Sequence, residues 1–176
     1  MENQKFKIVS TQSNIDWVGR KITGSHNGTI AVKEGELILN NDKLTGGKII
    51  VNVASIKILD VTDPATNAQF AGHLASDDFF STEKYPEAML DITSVSGNHV
   101  EGNLTIKGIT KEVELEAEYG GTEKDSWGNI KVGFEVTGTI DRKEFNVSFN
   151  ALTETGGLAL GEKIKLVANI QLIKEA

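Results

Sequence analysis

The sequence predicts an all-β protein, a sandwich or closed barrel of about eight to ten short antiparallel strands, and three observations carry that prediction. Apolar and polar residues alternate with period two over long stretches. Glycine-containing breaks such as "KEG", "SGN", "KGIT" and "YGGT" fall between those stretches. A single segment, residues 63–85, departs from the alternation and reads as a helical excursion between two strands.

In chain order, "KFKIVS" offers Phe6 and Ile8 to one face, and "NIDWVGRKI" offers Ile15 and Trp17. "GTIAVKEGELIL" reads as two strands or as one strand bulged around Gly35. "KIIVNVASIKIL", 48–59, is apolar on both faces in places. "AMLDITSV" and "VEGNLTIKGI" follow the helical segment. The clearest alternation is "KEVELEAEY", 111–119, with Val113, Leu115, Ala117 and Tyr119 on one face and Glu112, Glu114, Glu116 and Glu118 on the other. Side chains alternate across a strand, so this segment has one dry and one wet side; a helix would scatter the glutamates around its circumference. "IKVGFEVTGTI", 130–140, repeats the pattern through Ile130, Val132, Phe134, Val136 and Ile140. "KIKLVANIQLI", 163–173, repeats it through Ile164, Leu166, Ala168, Ile170 and Leu172.

Within 63–85, Asp63 can cap a helix whose first position suits Pro64. Phe70 and Leu74, four apart, share a helical face, and Gly72 weakens the interior. Ser76 can cap a second short turn whose N-terminal end favours Asp77 and Asp78. Tyr85 precedes Pro86 and should be extended, restarting the strand phase at Ala88. Leu74, Phe79 and Phe80 then anchor the excursion to the strands as a lid or plug.

The chain, 176 residues, suits one domain spanning 1–176, and 39% apolar with 24% charged residues is a globular composition rather than a disordered one. A net charge of −7 argues against nucleic acid as a partner, because neutralising phosphates needs clustered Lys and Arg. The lack of cysteine removes disulfides, thiolate metal sites and a Cys nucleophile. No stretch has the length of a transmembrane helix. The opening "MENQKFKIVSTQ" has no signal-peptide core, so the expected compartment is the cytoplasm, or the periplasm if a signal has been trimmed.

Little in the sequence points to catalysis or to a metal. His26, His73 and His99 lack mutual metal-ligand spacing. His26 falls near a turn or strand start, and His99 in a hairpin turn. His73 and Asp77 stand i, i+4, but helix capping accounts for both aspartates without a ligand. No G-x-S-x-G elbow, phosphate loop or HExxH motif occurs, and the glutamates of 112–118 read as a solvated sheet face rather than glycosidase carboxylates. Trp127, in "KDSWGN", belongs to a hairpin loop, either exposed or folded over a barrel mouth. The expectation is a non-enzyme with no cofactor and no metal.

The phrases "GHLASDDFFSTEKYPEAMLDITSV", "GNLTIKGITKEVELEAEY", "GFEVTGTIDRKEFNV" and "GEKIKLVANIQL", in that order, resemble the YceI-like family of lipid- and polyisoprenoid-binding proteins. The resemblance runs from about Gly24 to Leu172. It implies a lipocalin-like antiparallel barrel of about eight strands with the 63–85 excursion near one end. It also implies a long isoprenoid or other amphiphilic lipid held in the lumen without covalent chemistry. The lining then expected comprises Trp17, Leu90, Ile92, Leu104, Ile106, Phe134, Val136 and Ile170, with Phe70 and Leu74 at the helical end. An eight-stranded barrel can also be filled by its own side chains, so a structural or stress-response interaction protein stands as the alternative, and a hydrolase as a more distant one. A homodimer is among the assemblies open to such a domain.

Overall fold

The computed structural model describes residues 3–21, 24–40, 43–60, 62–75, 81–145 and 163–175. The described elements are β1 (Gln4–Ile8), β2 (Asn14–Lys21), β3 (Gly24–Asn40), β4 (Lys43–Ile58), α1 (Pro64–Ala75), β5 (Glu87–Ser96), β6 (His99–Ile106), β7 (Ile109–Lys124), β8 (Ile130–Asp141) and β9 (Lys163–Lys174). Every pairing is antiparallel. The strands β2-β9-β8-β7-β6-β5-β4-β3 run around a ring that the β3–β2 pairing closes, giving an eight-stranded barrel.

The ninth strand does not widen that ring. β1 pairs with β3 through Gln4–Lys7 and with β9 through Phe6–Ile8, while β2 pairs with the same two strands further along. β1 and β2 are therefore one barrel position, broken by a 3-10 turn at Ser10–Gln12. The break is stitched across to β9. The Val9 amide donates to the Gln171 carbonyl at 2.8 Å, and the Gln171 amide donates to Ser13 Oγ at 3.0 Å. Ser13 Oγ in turn donates to the Val9 carbonyl at 2.9 Å.

The segment around Gly35 is one strand, β3, with register shifts between Thr29 and Ala31, Val32 and Glu34, and Ile38 and Leu39. The apolar both-faced segment 48–59 has its explanation at the first shift, where β4 residues 53–56 stand opposite Ile30 alone. There the Ala31 amide donates to Ser55 Oγ at 2.8 Å and the Val53 amide to the Pro86 carbonyl at 2.9 Å. The irregularity brings Val53 into the core and packs Ile56 against it.

The wet face of β7 is as the alternation dictates: Glu112, Glu114, Glu116 and Glu118 are exposed, while Val113 and Ala117 are buried. Strand β7 begins at Ile109, earlier than the clean alternation, after a tight turn at Lys107 (φ 54°) and Gly108 (φ 76°). Two successive positive φ values are what a two-residue hairpin turn of matching twist requires. His99 is not in a turn but is the first residue of β6, paired with Ser96; Gly97 and Asn98 make the turn. Trp127 is exposed, at 85%. Its loop is organised by Asp125, whose Oδ1 accepts from the Trp127 and Asn129 amides, both at 2.9 Å.

Helix α1 starts as expected. Asp63 Oδ2 accepts from the Thr66 amide at 3.0 Å and from Thr66 Oγ1 at 2.6 Å, and these bonds hold its carboxyl below the usual range. Asn67 Nδ2 donates to the Ile58 carbonyl at 2.8 Å and ties the helix to the end of β4. Ala88 is buried and restarts the strand phase after Pro86. Residues 76–80, with the expected second cap and the two phenylalanines, and the side chains of Phe70, His73 and Leu74, lie outside the described residues.

Candidate functional site: the barrel lumen

Strand pairing decides which residues meet inside the barrel, because directly paired residues point to the same side of a sheet. One level runs Tyr119–Phe134–Ile170, the next Ala117–Val136–Ala168–Ile15–Ile30. The level beyond has Gly138–Leu166–Trp17–Gly28–Ile58. On the other wall, Ile49, Leu90 and Leu104 are in line, with Val51, Ala88 and Ile106 beside them.

The expected lining residues whose side chains are described all fall on this inner side. Trp17, Leu90, Ile106, Phe134 and Ile170 are buried, and Ile92, Leu104 and Val136 are half-buried against the same cluster. They form one continuous apolar wall with Leu37, Leu39, Val100, Val132 and Leu172. Tyr119 stays at the rim, 40% exposed, its ring edge-on to Phe134 with centroids 5.7 Å apart.

Two features of the wall bear on its packing. Val136 is flanked on its level by Ala117 and Ala168, so the wall is thin there and Val136 keeps partial exposure although it points inward. Gly28 has no room for a side chain: a Cβ would stand 1.7 Å from the Lys57 carbonyl oxygen and 2.6 Å from Trp17 Cζ2. The Trp17 ring therefore lies against bare backbone, which only glycine permits.

Trp17 is also the electrostatic anomaly of the lumen. The residue is 4% exposed, and Nε1 is buried without a hydrogen-bond partner among the described residues. A stranded buried donor costs about 1–3 kcal/mol. Ser81 is the one buried polar or charged residue otherwise described. Period-two alternation placed Trp17 inside, but it reads Trp as an apolar residue and is blind to the indole N–H.

Phe145, fully buried, is a core residue that sequence reasoning missed, as is Leu44 at the start of β4. Phe145 belongs to a 3-10 turn, Arg142–Phe145, that follows β8. The strand pattern ends at Ile140, so no periodicity pointed to it. The available signal was an aromatic four residues beyond Asp141, the strand's polar end.

Polar clusters occur on the outside. His99 Nε2 lies 3.5 Å from Glu101 Oε1, and with Glu114 these side chains bring ligand atoms within 4.8 Å of one another on the exposed face of β6 and β7. Strand register assembles them, since Glu101 pairs with Glu114. Elsewhere on the outer surface a hydrogen bond to Glu36 raises the carboxyl of Glu175 above its usual range, with Lys5 and Lys7 pulling the other way. Carboxyls in hydrogen-bonding contact are too close to flank a glycosidic bond. An open groove of about 530 Å³ runs over β7, β8 and β9, where Gly121 and Gly133 pair beside Lys131, Glu135 and Gln171. No described helix is long and apolar enough to cross a membrane.

Several bacterial proteins share this architecture. BcnA of Burkholderia cenocepacia superposes with a TM-score of 0.68 at 20% identity, covering 93% of this chain and 98% of its own. A polyisoprenoid binding domain from Saccharophagus degradans, implicated in plant cell wall breakdown, gives 0.63 at 13% identity, with 97% and 98% covered. The YCEI protein of Campylobacter jejuni gives 0.59 at 25% identity, with 77% and 75% covered. UPF0312 proteins of Staphylococcus aureus, that of strain COL among them, are 41% identical over 100 residues, 56% of this chain. The matched stretch spans 58% of those relatives' length. The sequence profile of the YceI-like domain matches residues 6–172, which takes in every strand of the barrel except its outermost residues. The chain belongs to the YceI-like domain family.

Proposed function

We propose that the protein is a non-enzymatic carrier that holds an isoprenoid or other long-chain lipid in the barrel lumen. The observation that carries this reading is the continuous apolar inner wall, from Phe6 and Ile8 around to Leu90 and Ile106, with no charged residue among those described as buried. An apolar chain needs no polar partner along its length, and such a wall rewards its removal from water by about 25 cal/mol for each Å² buried. The family and the polyisoprenoid-binding domain with the same fold support the same ligand class.

The test fills the lumen without adding polarity. Val136 points inward between Ala117 and Ala168, so the ring of Val136→Phe projects into the enclosed space rather than into a large neighbour. Overpacking of this kind costs about 1–3 kcal/mol, which leaves a folded barrel. Native mass spectrometry after incubation with geranylgeraniol should show one lipid on the wild type and none on folded Val136→Phe. Undiminished uptake by that variant would place the lipid elsewhere. No uptake by the wild type would favour a barrel filled by its own side chains.

A further inference from the structure

We propose that the lipid enters and leaves the lumen through the side of the barrel, at a portal between residues 112–115 of β7 and 138–141 of β8. The inference rests on the lumen reading above and assigns the route of access to that lumen. The β7–β8 ladder runs from Lys124–Ile130 as far as Glu116–Thr137 and stops there. Both strands go on. β7 reaches back to Ile109 in continuous pairing with β6, and β8 continues to Asp141 in continuous pairing with β9. The same register carried further would set Leu115 against Gly138, Glu114 against Thr139, Val113 against Ile140 and Glu112 against Asp141, but none of these described residues pairs that way. The sequence supplies the cause. Glu112 and Asp141 would face each other on the outer side, and like charges directly opposite destabilise a strand pair. Asp141 is met instead by Lys163 of β9, whose Nζ donates to its Oδ2 at 3.3 Å.

A cleft of about 530 Å³ stands where the pairs are missing, and Glu112, Val113, Glu114, Thr139, Ile140 and Asp141 line it. A second cleft, of about 350 Å³, adjoins it at Leu115, Gly138 and Thr139. Val113 and Ile140 belong to the apolar cluster inside the barrel, so the first cleft passes the outer layer of the wall and has the inner layer as its floor. Leu115 also faces inward, paired with Val100, yet it is only half-buried. It leans across the narrow end of the gap, where a Cβ on Gly138 would stand 2.1 Å from Leu115 Cδ2. Three apolar side chains thus close the wall at this seam, and they can part without breaking a ladder. Passage at the β7–β8 hairpin end would instead displace Leu39, Val132 and Leu172, all fully buried.

The chain has no cysteine, so one introduced thiol can be labelled alone. Thr139 is exposed and lines both clefts. Glu135, exposed on the same face of β8, lies where the ladder is intact. Thr139→Cys and Glu135→Cys are each coupled to a bulky maleimide, and geranylgeraniol uptake and release are timed by native mass spectrometry. The label on Thr139→Cys should slow entry and release alike, by about tenfold against the unlabelled variant, and leave the affinity unchanged, because a gate alters both rates and not their ratio. The label on Glu135→Cys should change neither rate. Unchanged rates in labelled Thr139→Cys, or equal slowing by the two labels, would overturn the portal and leave the lipid-carrying lumen standing. So would a loss of affinity on labelling Thr139→Cys, which would put that position in the binding site rather than on the way to it. Failure of the wild type and the unlabelled variants to take up geranylgeraniol would overturn the lumen reading and the portal with it.

Discussion

Ser13→Ala tests how the barrel closes with a first strand in two pieces. The Ser13 hydroxyl accepts from the Gln171 amide at 3.0 Å and donates to the Val9 carbonyl at 2.9 Å, bridging the gap between β1 and β2. Alanine removes both bonds, but unequally. The Val9 carbonyl keeps the Gln12 amide at 3.0 Å, whereas the Gln171 amide is left with no other hydrogen-bond acceptor among the described contacts. The site is part-buried, so water reaches the stranded donor in part, and the loss falls in the lower half of the usual penalty, about 1–2 kcal/mol. For a domain of this size that is a fall in Tm of roughly 2–8 °C. Urea unfolding should give a lower midpoint at unchanged slope, since the surface exposed on unfolding is the same. Hydrogen exchange should show the Gln171 amide losing protection ahead of its β9 neighbours. Ser13→Thr, which keeps the hydroxyl, should restore most of the loss. A Ser13→Ala protein with unchanged Tm and a still-protected Gln171 amide would refute the stitch, and so would a threonine variant as unstable as alanine.

Two further outcomes are expected. Glu112→Gln, Glu114→Gln, Glu116→Gln and Glu118→Gln should each move stability by no more than about 0.5 kcal/mol, because these side chains are exposed; a loss above about 2 kcal/mol on any of them would contradict the assignment of faces. Burial works to raise the Asp125 carboxyl, but hydrogen bonds from Asn129 and Trp127, with the charge of Lys131, outweigh it and hold the carboxyl below its ordinary value. A depressed folded-state pKa means that Asp125 stabilises its loop fully above the unfolded value of about 3.9, and that this is lost as pH falls through the folded value. Trp127 fluorescence should therefore report local loosening only on acidification below about pH 4, and Asp125→Ala should give the loosened signal at neutral pH.

Much of the fold was legible because a barrel strand with one dry face writes itself as alternation. Glu112 to Glu118, Val132 to Ile140 and Ile164 to Leu172 needed only that rule, and Asp63–Pro64 announced the helix by capping chemistry. What stayed hidden depends on pairing between distant residues. "KFKIVS" and "NIDWVGRKI" read as two strands, and nothing local says that both lie between β3 and β9 and share one place in the ring. The double-faced apolar run of β4 is likewise a register effect, made by residues 53–56 opposite Ile30. The inward set from Trp17 to Ile170 followed from alternation once the resemblance supplied a barrel, but the cluster of His99, Glu101 and Glu114 required knowing that β6 and β7 set Glu101 against Glu114.

The contrast between Trp17 and Ser13 shows what the barrel does with its polar groups. Where β1 and β2 break, a backbone amide left over by the interrupted ladder is met by a side chain of the same chain. Where β3 and β4 slip, Ser55 serves Ala31 in the same way. The fold thus satisfies the irregularities of its own backbone with local hydroxyls, as a low-dielectric interior demands. Against that background the unanswered Trp17 donor is not a general looseness of the structure. It is buried against Gly28, where a Cβ would stand 1.7 Å from the Lys57 carbonyl oxygen, one level along from Ala168.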